Sequence, residues 1–159
     1  MTVSSGLSTV SESGSVIYKK NADGGRVEKV WANGANLFLT AIATKYGETS
    51  PDVALCATGE PVAGVVIGTY QPYEINLKYD SDDPFDDDTK LQLYIPNKGD
   101  ILYGTTATAT AITANTWVDV DGGFLTTGTR TDHIGKALEA AAGASGTEYI
   151  ILYEWDQGL

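Results

Sequence analysis

The chain has 159 residues, 42% of them hydrophobic and 19% charged, which is the length and composition of one globular domain with a substantial core. Ten lysines and arginines stand against 21 aspartates and glutamates, so the formal net charge at pH 7 is −11. So acidic a chain offers no basic surface to a phosphate backbone or an anionic membrane, and neither nucleic acid nor membrane is expected as a partner. One cysteine, Cys56, excludes an intrachain disulfide and a multi-cysteine metal site.

The first residues are rich in serine, threonine and glycine and carry only isolated apolar side chains, among them Val3, Leu7 and Val10. Such a segment cannot form a core of its own. We therefore predict a flexible arm at 1–14 ahead of a single β-rich domain at 15–159. The residues leave two interpretations of the arm open: a frayed terminus, or a segment that becomes a strand on a partner's sheet edge.

From residue 15 onward, short runs rich in β-branched and aromatic residues alternate with turn signals such as Asn33-Gly34 and Asp121-Gly122-Gly123. The candidate strands are 15–19, 27–31, 37–40, 53–57, 62–70, 74–78, 91–95, 101–103, 105–112, 117–120, 134–138 and 148–155. Two segments, 74–78 and 90–95, alternate between apolar and polar residues, which predicts half-buried strands. The predicted fold class is all-β, mainly β with little helix, as a small barrel-like or β-tulip-like domain.

Residue propensities leave the choice between helix and strand open in three segments. Residues 35–46 and 136–142 contain good helix formers, but both are brief and neither has a convincing amphipathic stripe. The tract at 105–116 alternates threonine with alanine, and β-branched threonine at every second position favours a strand.

The most conspicuous feature is an acidic run of six aspartates within residues 80–88. These carboxylates repel one another unless they are spread in solvent or neutralised, and calcium, a hard cation that prefers oxygen ligands, suits them. The candidate ligands are Asp80, Asp82, Asp83 and Asp86. The spacing departs from the EF-hand, because Pro84 stands near the required glycine and no glutamate closes the loop. A solvated loop, or one that faces a basic partner, is the favoured interpretation; calcium is the alternative, and no other cofactor is expected.

The single histidine, His133, would have to carry any catalytic triad, since histidine is the commonest general base. It lies beside Asp132, but no serine or cysteine stands in a Gly-x-Ser-x-Gly elbow. Cys56 lies in an apolar run, where a thiol usually behaves as a small buried hydrophobe. We therefore expect a structural or solvated His133, an inert Cys56 and no enzymatic activity. A small hydrolase that uses His133 or an acidic pair stays open.

Three tryptophans and nine tyrosines admit a second class of function. Exposed aromatic side chains would suit a phage tail-fibre or spike module that binds a host glycan or receptor. Anchors in the core of a small β domain explain the same residues equally well.

Three segments in the last three fifths of the chain resemble the capsid decoration, or cement, proteins of tailed phages. They are the glycine-containing run at 60–68, the turn and strand at 97–103 ahead of the threonine and alanine tract, and the segment 134–143 ahead of a terminal apolar strand. The resemblance implies a β-rich, barrel-like domain that sits as a homotrimer on the outer surface of an icosahedral head. Synthesis in the host cytoplasm is the default expectation, because the first residues have neither the charged nor the apolar segment of a secretion signal.

The resemblance further implies that such a protein cements neighbouring major capsid proteins. Its N-terminal arm would then order on the capsid and add a strand to a capsid sheet edge. The candidate contact residues of this arm are Val3, Ser4, Leu7 and Val10.

Overall fold

The computed structural model describes residues 2–5, 16–21, 25–46, 51–69 and 81–157, with only the backbone described at 2–5. These ranges contain fourteen β-strands and no helix, which confirms the all-β fold class. The first seven strands are β1 (Thr2–Ser5), β2 (Ile17–Lys19), β3 (Arg26–Ala32), β4 (Ile42–Lys45), β5 (Asp52–Leu55), β6 (Gly64–Thr69) and β7 (Lys90–Ile95). The last seven are β8 (Ile101–Thr105), β9 (Ala111–Ile112), β10 (Trp117–Asp121), β11 (Phe124–Thr127), β12 (Gly135–Ala137), β13 (Ala141–Ala142) and β14 (Thr147–Trp155). No helix suited to crossing a membrane occurs in these ranges.

Strands β3 to β7 close into a five-stranded barrel in the order β3-β5-β4-β6-β7. Neighbouring strands are antiparallel except for β3 and β5, which run parallel and pair only at Trp31–Asp52 and Ala32–Val53. The alternation predicted for β7 is confirmed at its start, where Leu91 and Leu93 are buried and Lys90 is exposed. Closure leaves the barrel with little free sheet edge.

The strands before and after the barrel form a seven-stranded sheet. Six of them lie in the order β11-β10-β12-β14-β8-β2, and β1 also pairs with β14, in parallel. A parallel bridge between Thr106 and Leu125 brings β11 back to the residue after β8, so the sheet is curled. A separate two-stranded sheet joins β9 and β13. The barrel is thus an insertion between β2 and β8 of a sheet built from both ends of the chain.

The turn between β10 and β11 joins the sheet to the barrel, and the hairpin predicted there is confirmed. Gly123 donates its N–H to the Cys56 carbonyl at 2.9 Å, and its carbonyl accepts from the N–H of Ile42 at 3.0 Å. The φ angle of Gly123 is +83°, and a Cβ there would lie 2.5 Å from Cδ2 of Leu55. Glycine therefore permits both the turn and the close approach.

Buried Asp100, in the turn between β7 and β8, gathers hydrogen bonds from both parts of the molecule. Its Oδ2 accepts from the Tyr94 hydroxyl at 2.6 Å and from the Asn97 N–H at 2.9 Å, and its Oδ1 accepts from the Asn21 N–H at 2.6 Å. The Tyr94 hydroxyl in turn accepts from the Gly25 N–H at 2.7 Å. Burial, followed by the hydrogen bond to Asp100, raises the pKa of Tyr94 to about 12.

One hydrophobic cluster runs through the barrel and the sheet. It includes Val65 of the barrel and Tyr153 of the sheet, and Phe38 contacts Phe124 across the junction with ring centroids 5.0 Å apart. This shared core is what positions the surfaces of the two parts relative to each other. The predicted division into an arm and a single following domain stays a prediction.

Two expected strands were wrong, one entirely and one in part, and each segment contains a left-handed residue. Residues 37–40 form a buried loop in which Thr40 has a φ of +80°. The tract expected as one strand at 105–112 breaks at Ala109, whose φ of +59° turns the chain between β8 and β9. Such φ values are uncommon outside glycine, so neither break had a signal in the sequence.

The helices that propensity left open do not form. Residues 35–46 become the buried loop and β4, and the alanines of 136–142 contribute to β12 and β13. Tertiary pairing has overridden local helix propensity there. The strand predicted at 74–78 lies outside the described residues.

Candidate binding surfaces

The predicted contact arm begins with a strand on the protein's own sheet. Val3 lies opposite Glu148 and Ser4 opposite Tyr149 in the parallel pair of β1 and β14. Leu7 and Val10 lie outside the described residues. The start of the arm thus has the strand conformation that sheet addition requires, while its addition to a capsid edge stays a prediction.

The acidic loop is anchored on the barrel by an apolar side chain and by backbone hydrogen bonds. Phe85 is buried, and its N–H donates to the Leu37 carbonyl at 2.8 Å. A carboxylate oxygen of Asp87 accepts from the Gly34 N–H at 2.7 Å. The described part of the loop therefore has a defined place beside the end of β3.

Three of the four candidate calcium ligands are exposed in this loop, namely Asp82, Asp83 and Asp86. Asp80 lies outside the described residues. Within the ranges the structure describes, no three histidine, cysteine, aspartate or glutamate side chains come together as a metal site. Calcium binding stays a prediction.

His133 ties the C-terminal residues to the loop between β11 and β12. Its Nδ1 lies 3.0 Å from the Thr129 carbonyl and its Nε2 lies 2.7 Å from a carboxylate oxygen of Asp156. Both ring nitrogens are therefore engaged with acceptor groups of the protein. The hydrogen bond from His133 is the main cause of a lowered Asp156 pKa, and Lys98 lowers it further from 3.4 Å away.

This geometry suits a structural clamp, because a general base needs a ring nitrogen with an available lone pair. The absence of enzymatic activity stays a prediction. Cys56 is fully buried, as predicted, and burial is the main cause that raises its pKa to about 11. The thiol is therefore protonated at neutral pH and shielded from reagents.

The clamp extends to a tryptophan and a lysine that sequence reasoning missed. The rings of Trp117 and His133 are stacked with centroids 4.0 Å apart, and the Lys136 ammonium lies 5.5 Å from the Trp117 centroid. Trp117 and Lys136 are direct partners in the β10–β12 register. This contact could be predicted only from the β10–β12 register, and that register is set by pairing between segments that are separated in sequence.

The aromatic residues divide between core and surface. Trp155 is fully buried, whereas Tyr18 and Tyr46 are each 59% exposed. Tyr18 rests edge-on against Tyr103 with ring centroids 6.1 Å apart. The hypothesis of a glycan-binding or receptor-binding module stays a prediction, with Tyr18 and Tyr46 as its most exposed described aromatic side chains.

A groove of about 490 Å³ lies at one mouth of the barrel, a common place for ligand sites. Val62, Ala63 and Ile95 contribute apolar surface to it. At its rim the Glu28 carboxylate pairs with Arg26 at 3.4 Å and with Lys45 at 3.7 Å. The groove thus combines apolar walls with rim charges that neutralise one another in part.

A second cleft, about 290 Å³, lies beside His133. Glu60, Asp119 and Asp132 line it, so it is acidic. Neither groove contains a residue that the sequence singled out as a contact or a ligand. Both form where loops meet strands, and no local pattern in the sequence signals such a meeting.

Comparison with known proteins gives a likeness in fold rather than in sequence. No family model matches the chain, and no curated protein matches it in sequence. The crystal structure of the N base of head fiber gp8.5 in bacteriophage phi29 matches with a TM-score of 0.55 and 10% sequence identity. The match covers 83% of this chain and 94% of that chain. At this identity the likeness establishes a shared fold, so the chain has the fold of that head fibre base.

Proposed function

We propose that the chain is a structural protein of a phage head, bound to the outside of an icosahedral capsid. The observation that carries the proposal is the fold shared with a head fibre base over 94% of that chain. The segments that resemble capsid decoration proteins support it from the sequence. A net charge of −11 is consistent with a role away from the packaged nucleic acid.

The finer proposal is that the protein acts as a trimer that cements neighbouring major capsid proteins. An interface of standard size buries about 800 Å² per partner, and three linked copies multiply such contacts. Avidity of this kind lets individually weak contacts hold a shell together. The arm is the proposed contact, because the strand at Thr2–Ser5 already pairs edge to edge with a sheet.

The test is binding to empty expanded heads from the phage that encodes the chain, prepared without this protein. The full chain is expected to sediment with the heads and to raise the temperature at which they disassemble. Electron microscopy of the complexes would show whether density appears on the outer surface in groups of three. Failure to sediment with heads at micromolar concentration would overturn the proposal.

A deletion of residues 4–13 tests the arm. The domain is expected to stay folded, because strands β2 to β14 and the shared core remain, while head binding falls by at least tenfold. The matched control replaces Asp82 and Asp83 with asparagine and leaves the arm intact. Unchanged head occupancy by the deletion variant would contradict a role for the arm.

A further inference from the structure

Strand β1 is held by a single neighbour. Among the described residues its backbone pairs with β14 alone, through four aligned pairs from Thr2–Thr147 to Ser5–Ile150. A short strand with one paired neighbour opens at a low free-energy cost. The edge that β1 covers belongs to β14, which is the central strand of the sheet.

Hydrogen bonds along β14 show which edge β1 covers. The Tyr149 carbonyl accepts from the Thr106 N–H at 2.8 Å, on the side of β8, and the Leu152 carbonyl accepts from the Leu138 N–H at 2.8 Å, on the side of β12. Backbone groups of successive residues face opposite edges, so Glu148 and Ile150 face the same edge as Leu152. β1 therefore occupies the first half of the edge whose second half pairs with β12.

The connection from β1 to β2 is longer than its path requires. Three strand spacings, about 14 Å, separate β1 from β2 across β14 and β8. The eleven residues 6–16 between them allow a separation of up to about 40 Å when extended. The connection therefore exceeds the length that pairing within one subunit requires, as an exchange of β1 between subunits would need.

We propose that β1 exchanges between copies of the chain, so that each β1 pairs in parallel with Thr147–Ile150 of a neighbouring subunit. This inference deepens the trimer of the proposed function and rests on it, because a neighbouring β14 must be within reach. The same backbone hydrogen bonds form in either arrangement, so the exchange costs little enthalpy and links the subunits. In an isolated monomer the tether favours the chain's own β14.

Disulfide trapping distinguishes the two arrangements. Thr2→Cys and Thr147→Cys are made in separate chains, one of them tagged, both with Cys56→Ala. Aligned residues on adjacent strands lie about 4.8 Å apart, which is within disulfide range. The two chains are unfolded and refolded together, then oxidised both free in solution and after addition to heads. A disulfide between tagged and untagged chains is expected, because neither chain alone carries both cysteines.

Two matched variants set the baseline. Val3→Cys paired with Thr147→Cys shifts the register by one residue and is expected to cross-link at least tenfold less. A single chain with both Thr2→Cys and Thr147→Cys reports pairing within one subunit. If the Thr147 variant fails to fold, the Ser4 and Tyr149 pair replaces it.

Each outcome decides one proposal. Cross-linking confined to the doubly substituted monomer, with no product between chains in solution or on heads, would overturn the exchange and leave head binding intact. No cross-link in any variant would overturn the exchange as well, because β1 would then not lie on β14. Failure to bind heads would overturn the proposed function, and the free-solution reaction would still decide the exchange.

Discussion

Gly123 carries the contact between the hairpin turn and the barrel, so its substitution tests how the two parts are held together. Gly123→Ala is expected to lower the free energy of unfolding by about 1–3 kcal/mol, because the methyl group meets Leu55 and the backbone is left-handed. Urea unfolding followed by circular dichroism measures this change.

Gly122 is the matched control. It has a φ of +58°, and a Cβ there would have nothing within 4 Å. Gly122→Ala is expected to cost only the left-handed backbone strain of about 1 kcal/mol. Equal losses in the two variants would show that the contact with Leu55 contributes nothing.

The Tyr94 hydroxyl makes stability depend on alkaline pH. Its pKa rises from 10.0 unfolded to about 12 folded, so its contribution is fully present below pH 10 and is lost as pH rises through 12. Tyr94→Phe is expected to cost about 1–3 kcal/mol at pH 8, because Asp100 and the Gly25 N–H each lose a partner. The same variant should lose less stability than the wild type between pH 10 and 12. Urea unfolding at a series of pH values measures both effects.

Tyr46→Phe serves as the control for this titration, because Tyr46 is 59% exposed. It is expected to follow the wild-type curve throughout. An unaltered alkaline slope in Tyr94→Phe would contradict the assignment. Tyr103 and Tyr153 also have raised pKa values because of burial, so some alkaline loss remains in every variant.

At the scale of elements, the clamp made by His133 holds the end of β14 to the loop before β12. His133→Ala is expected to speed hydrogen exchange of the Asp156 amide, which donates to the Ile134 carbonyl at 2.9 Å, by about tenfold. Because the Asp156 pKa is lowered, the clamp contributes above the unfolded value of 3.8 and is lost as pH falls through the folded value.

Exchange measured by NMR between pH 3 and 6 checks this prediction. The wild type should lose protection of the Asp156 amide at the acidic end, and His133→Ala should show less of this dependence. Asp132→Asn, a change of the adjacent exposed carboxylate, should behave as the wild type. Identical exchange in His133→Ala and the wild type would rule out the clamp.

Elements with a local signature were predicted well. The alternation of β7 and the Asp121-Gly122-Gly123 turn both appear where the sequence placed them. The left-handed Thr40 and Ala109 were not foreseen, since nothing local marks a threonine or alanine for positive φ. Contacts set by register, such as Trp117 with Lys136, depend on pairings between distant segments and were also missed.

At the scale of the whole molecule, composition favours an ion site at the acidic run, whereas the folded molecule offers grooves as its binding surfaces. The acidic run at 80–88 is a candidate ion site on composition alone, but its described part is a loop anchored by Phe85. The first groove is lined by barrel strands and residues 61–63, and the second cleft by loops of both the barrel and the sheet. The binding surfaces were therefore less predictable than the fold class, because they depend on three-dimensional assembly.

The insertion of the barrel between β2 and β8 also sets the order in which the molecule is completed during synthesis. The ribosome finishes every strand of the barrel before it makes β8, so the barrel can close while the sheet still lacks its centre. Among the described strands, β1 is made before all the others and its partner β14 after them. The pairing that the strand exchange would alter therefore joins the two described strands that are furthest apart in order of synthesis.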